Sequence, residues 1–232
     1  MSDKEFDVPP ELKRKLRKEF LTQLEPSTID VFELELFDWY MEESEMVVSG
    51  MLAAQREDVR QQTVRGVEDV DDSEFVAAEY FTKRIRYSHV IYLTSLLETC
   101  LERACSVLRT VIGEDNVLFE LGDLSGDQWS KKRKFLERYG RFDLPRGAWS
   151  EIEVLTSVRN CLVHDNGNPS GLSPKARKAV SQRPGIDIEG YEVRIEEAFV
   201  RHSHEAVTHF VHSVEERLKE VVQRAQRPKS VR

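Results

Sequence analysis

The feature that most restricts the fold is an apolar stripe, Val90, Leu93, Leu97, Leu101, Ala104, Leu108 and Val111, spaced three and four residues apart. Such spacing puts every member on one side of an α-helix and demands a partner surface along its whole length. Asp72 and Ser73 offer short polar side chains for the free N–H groups at its start, and Gly113 suits the left-handed residue that ends it. A long helix over 72–113 is the result. With only eleven Gly and eight Pro in 232 residues, the rest of the chain has room for more of the same, and the fold class is mainly α.

Residues 11–24 carry Leu12, Leu16, Phe20 and Leu24 at four-residue steps, a short leading helix that Pro26-Ser27 ends. A long helix over 28–62 follows. Its candidate core is Ile29, Phe32, Leu36, Phe37, Tyr40, Val47, Met51 and Leu52, with Ser49-Gly50 as a place to bend. A smaller helix opens at Gly126-Asp127 and stops at Gly140. Ser150 and Glu153 fit the S-x-x-E capping box, which predicts a helix from Trp149 or Ser150 to Val163, broken by the run from Asp165 to Pro169. Ser173-Pro174 starts a short helical piece, and residues 186–195 alternate around Glu189-Gly190 as a small β-hairpin. The last helix covers 196–226 with Val207, Phe210, Val214, Leu218 and Val221 inward. The expected organisation is an N-terminal helical extension (1–73), a helical domain (74–226) and a basic tail (227–232).

Several chemistries drop out. No apolar run approaches the roughly 20 residues that span a bilayer, and residues 1–5 lack a signal-peptide pattern, so a cytoplasmic protein is expected. Cys100, Cys105 and Cys161 are odd in number and sit among Leu and Val, which fits buried reduced thiols. There is no G-x-G-x-x-G, no phosphate loop and no G-x-S-x-G elbow. His204 and His209 are one residue too far apart for a zinc-protease pair. With His202 and His212 they read as solvated histidines on a helix face, and neither a metal nor a cofactor is expected. A net charge of -8 opposes general DNA coating, so any nucleic-acid site must be local.

One constellation remains, at the end of an apolar helix: Arg159, Asn160 and His164, with Asp165-Asn166-Gly167 beyond. A guanidinium grips phosphate through a planar fork, and an imidazole can take a proton from a hydroxyl, which together suit phosphodiester chemistry on RNA. Spacing alone carries little weight, since Arg84 and His89 are equally far apart without the following Asn or the Asn-Gly stop. At about 100° per residue, Arg159 shares a sector with Ile152, Leu155, Val158, Leu162 and Val163, whereas Asn160 and His164 fall on a flank. A guanidinium on a packed face needs a partner, and Glu98 is the candidate, so a structural salt bridge is the competing reading. Arg159 and His164 also diverge by about 140°. Either the helix unwinds near His164, or a two-fold dimer brings two copies of the motif together.

The run Arg159-Asn160-Cys161-Leu162-Val163-His164, following Trp149 and preceded by the long helix around residues 88–98, resembles the HEPN superfamily over roughly 74–226. Members are helical bundles with an R-x(4 to 6)-H motif, often with a polar residue after the Arg. The resemblance implies a metal-independent endoribonuclease of toxin-antitoxin, phage-defence or RNA-processing systems, with its site assembled across a homodimer. It gives His164 the 2'-hydroxyl proton, Arg159 the phosphorane charge and Asn160 an orienting role, and it makes an antitoxin or defence partner protein an expected companion. Other members are non-catalytic interaction or nucleotide- and RNA-binding modules, which is the alternative reading.

An RNA surface is also legible despite the acidic total. Residues 129–149 hold Lys131, Lys132, Arg133, Lys134, Arg138, Arg141 and Arg146 against Glu137 and Asp143, a local +5, with Trp129, Phe135, Tyr139 and Trp149 interleaved. Such a patch could hold a strand by charge and stacking. Solvated cations over core aromatics are the bland alternative.

Overall fold

A computed structural model of the protein describes residues 31–67, 71–113, 116–117 and 121–226. The leading helix expected over 11–24 and the basic tail 227–232 lie outside the described residues. Among those described, the order is α1 (Phe32–Val64), α2 (Ser73–Ile112), α3 (Gln128–Phe135), α4 (Arg146–His164), α5 (Pro174–Val180), β1 (Ile186–Glu189), β2 (Glu192–Ile195) and α6 (Glu197–Gln226). The fold is therefore mainly α, with a small antiparallel hairpin before the last helix.

Most ends follow the expected local chemistry. At the start of α2 it is Asp71, not Asp72 or Ser73, whose side chain caps, its carboxylate accepting the Ser73 N–H at 3.0 Å, and α2 gives way to Gly113 at φ 88°. Asp127 accepts the Ser130 N–H and opens α3, which runs on into a π-helical turn, Leu136–Gly140. Ser173 caps α5. The start of α4 differs: it lies at Arg146, so Ser150 is inside the helix and caps nothing. Glu153 instead accepts the Trp149 indole N–H at 2.8 Å, an i,i+4 pair within the helix.

Helix α1 passes Ser49-Gly50 without a break, and its buried stripe is Leu34, Phe37, Met41, Glu45 and Val48. Of the expected core, only Phe37 belongs to it; Phe32, Leu36, Tyr40 and Val47 are exposed, while Ile29 is outside the described residues. This helix is apolar on more than one face, so two stripes compete. Packing decides between them, since the Phe37 ring meets the rings of Tyr92 and His204 at 5.7 and 5.4 Å.

Contacts divide the chain into two compact units, each drawing on α2 and α6. One comprises Phe32–Leu97 and Arg146–His209. Its core holds Val90 and Leu93 of α2, Trp149, Ile152 and Val158 of α4, and Phe199 and Val207 of α6. The hairpin adds Ile186 opposite Ile195, both buried. Buried Glu45 of α1 is matched by Arg86 of α2 through two bonds of 2.8 and 2.9 Å, the paired form that a buried carboxylate requires. The second unit consists of the described residues of Glu98–Pro145 and Phe210–Arg232, with Leu101, Ala104, Leu108, Phe135, Leu136, Val214 and Leu218 buried.

Candidate functional site

The geometry of the Arg159 region follows from a drift in the buried face of α4. In the first turns the buried residues are Ala148, Trp149 and Ile152; in the last turns they are Val158, Cys161 and Leu162. At about 100° per residue, that change moves the buried arc by roughly a third of a turn. Arg159 therefore does not sit on the packed face. It is half-buried, Val163 is 44% exposed, and Asn160 and His164 are exposed. The four form one solvent-facing arc, with the apolar Val163 between the cation and the imidazole.

Glu98 does not pair with Arg159. It binds Lys132 at 3.3 Å within the other compact unit, while Arg159 Nη1 donates to the Asn160 amide oxygen at 3.1 Å. Among the described residues no carboxylate lies within ion-pair distance of Arg159, so its charge is not spent on a structural bridge.

The helix does not unwind before His164. Asp165 N–H and Gly167 N–H both donate to Cys161 O at 3.0 Å, a Schellman-type ending, and Asn166 and Gly167 follow at φ 53° and 82°. Gly167 is required twice over. Its positive φ strains any L side chain, and a Cβ there would lie 2.8 Å from the Tyr87 hydroxyl. That hydroxyl donates to Val193 O at 2.5 Å, and the Val193 N–H donates to Gly167 O at 2.9 Å, so the turn is tied to β2. Burial pushes the Tyr87 phenol up to about 12 and raises the Cys161 thiol. With a regular helix, Arg159 and His164 still diverge by about 140°, and a single copy does not aim both at one atom.

The equally spaced pair Arg84 and His89 behaves differently. His89 is fully buried, with Nε2 2.8 Å from Ser44 Oγ, and burial pulls its pKa below the usual imidazole value. Arg84 lies nearer the surface and donates through Nη1 to Asn166 Oδ1 at 3.0 Å, in the turn that follows His164. Sequence reading missed this contact, because nothing in the spacing relates residue 84 to residue 166.

The basic segment is largely committed. Lys132 is only 3% exposed and pairs with Glu102 and Glu98 at 2.9 and 3.3 Å, so it cannot meet RNA as expected. Arg133 pairs with Glu137 at 2.7 Å, Lys134 donates to Ser125 O at 2.6 Å, and Lys131 reaches Gly122 O at 3.4 Å. Phe135 and Trp149 are buried and unavailable for stacking. Lys134, Arg138 and Arg141 keep exposed side chains.

The histidine row on α6 is not uniformly solvated either. His204 is buried, with Nε2 2.9 Å from Leu34 O and 3.2 Å from Thr208 Oγ1. His202 is half-buried and lies 3.5 Å from Glu151, while His209 and His212 are exposed. Among the described residues no three His, Cys, Asp or Glu side chains are grouped to hold a metal ion, and no helix is long and apolar enough to cross a membrane. No protein-family model, curated protein or solved structure matches the chain.

Proposed function

We propose that the protein is a metal-independent endoribonuclease of HEPN type that works as a homodimer, with the arc at the end of α4 from each protomer facing the other. The observation that carries this reading is the arc itself: half-buried Arg159 and exposed Asn160 and His164 share a solvent-facing surface, and among the described residues no carboxylate engages the guanidinium. A two-fold axis beside that surface offsets the divergence within one helix, because Arg159 of one copy can then oppose His164 of the other. Exposed Val163 at the centre of the arc gives such a contact its apolar middle.

In this mechanism His164 removes the 2'-hydroxyl proton as that oxygen attacks the adjacent phosphorus. The 5'-oxygen leaves and is protonated, giving a 2',3'-cyclic phosphate and a 5'-hydroxyl. Arg159 stabilises the charge of the pentacoordinate phosphorus, and Asn160, 3.1 Å from its guanidinium, orients the fork. Exposed Arg141 and Arg146 are cations of the basic segment that would attract a strand, and a protein partner of antitoxin or defence type would regulate it in the cytoplasm.

The test is incubation of the purified protein with end-labelled RNA in chelator, beside the same oligonucleotide with 2'-deoxy residues. Cleavage to cyclic-phosphate ends, blocked by 2'-deoxy substitution and by His164→Ala, is the expected result. A folded protein that leaves varied RNAs intact overturns it and favours a non-catalytic HEPN binding module.

A further inference from the structure

Next to the His164 turn lies a second cationic feature that the mechanism does not use. Arg84 stands over the Tyr80 ring at 4.9 Å and the Tyr87 ring at 5.7 Å, with one guanidinium N–H on Asn166 Oδ1. The stack and the amide bond fix the plane of the fork while spending one of its five donors. Its charge is not cancelled, since among the described residues no carboxylate lies within ion-pair distance of Arg84. Glu192, on β2, holds Lys83 at 2.8 Å. Tyr80 is 53% exposed, and its ring carries a second cation, Lys83 Nζ at 5.1 Å, besides Arg84.

We propose that Arg84 and Tyr80 form a flanking-nucleotide subsite for single-stranded RNA beside the His164 turn, the guanidinium taking a phosphate and the ring a base. This rests on the ribonuclease reading given above. The chemistry selects the ligand class. A fixed, uncancelled guanidinium suits a phosphate oxygen pair, and the exposed part of an aromatic ring already flanked by cations suits an unpaired base. Location selects the place on the strand. Asn166 is two residues beyond His164, a chain distance of at most about 7 Å, so the subsite serves a nucleotide next to the reacting one.

The experiment measures binding of a fluorescent 2'-O-methyl oligonucleotide, which lacks the attacking hydroxyl, to the full-length protein over a range of salt concentrations. Cleavage of unmodified RNA is followed in parallel. Tyr80→Ala should weaken binding about fivefold or more, as loss of a stacking platform does, while Tyr80→Phe should retain it. Arg84→Ala should weaken binding and lower the slope of log affinity against log salt by about 0.7, the loss of one single-strand phosphate contact, and Arg84→Lys should restore the slope. A purely structural role at the turn would not move that slope. If the unmodified protein cleaves RNA while folded Arg84→Ala and Tyr80→Ala keep its affinity and slope, the subsite is overturned and the ribonuclease reading stands. If the unmodified protein neither binds nor cleaves, both fall.

Discussion

Two regions carry the cations that the sequence marks for RNA, and they spend them in opposite ways. Segment 131–141 is dense in charge, yet Lys132 is buried between Glu98 and Glu102, and Arg133 is held by Glu137. The end of α4 has a single Arg and a single His, and among the described residues neither meets a carboxylate. A count of Lys and Arg therefore overstates what the dense segment can offer a phosphate. What an anion meets is the charge left after internal pairing, which in the dense segment excludes Lys132 and Arg133 and at the end of α4 includes Arg159.

The sharpest way to break this contrast is to remove the imidazole. His164→Ala should lower the rate of RNA cleavage about 10²- to 10⁴-fold with an unchanged circular dichroism spectrum. An equal loss from Lys132→Ala would mean that the buried lysine, not the exposed arc, is central. Next in size is Gly167→Ala, which combines a positive φ with a clash against Tyr87. It should cost about 1–3 kcal/mol in urea denaturation and reduce activity by disturbing the turn after His164. Lys132→Ala should cost about 1–2 kcal/mol of stability, less than a fully buried pair, because Glu98 and Glu102 can rehydrate. Its affinity for a non-cleavable RNA should stay unchanged, whereas Arg141→Ala should show the converse, an unchanged denaturation midpoint and weaker binding.

The smallest effect concerns His89, whose native pKa lies below the ordinary value of 6.5 because it is buried. Below about pH 6.5 the unfolded chain takes up a proton that the native state refuses, so this contribution is complete above that pH and declines as pH falls through the native pKa. The decline is at most about 1.4 kcal/mol per pH unit. Denaturation midpoints at pH 7.5 and 5.5 should differ less in His89→Gln than in the unmodified protein. An identical pH dependence would show that His89 does not titrate differently in the two states.

Local signals were legible where one interpretation dominated. All seven members of the α2 stripe are buried, and Asn166-Gly167 allows little besides a left-handed stop. The Glu189-Gly190 turn likewise sets the hairpin pairing. Long-range choices were not legible. Leu34 and Leu36 are equally apolar, and Phe37 packing against α2 and α6 decides which is buried. His204 is buried because Leu34 O, distant in sequence, accepts or shares its proton. At the candidate site, a uniform helical wheel put Arg159 inward because it could not register the drift of the α4 face. Glu98 takes Lys132, a partner within its own compact unit that no helical spacing identifies.

The tie between Gly167 and Val193 also limits how the chain can change in length. One residue inserted between His164 and Gly167 would advance the following backbone out of register with both Tyr87 and β2, uncoupling the turn from the hairpin. The opposite end of that hairpin has no such restriction, since Gly190 has open space around it and Tyr191 is exposed. Homologous chains should therefore lengthen and shorten freely at 190–191 while keeping a constant residue count from Arg159 to Gly167.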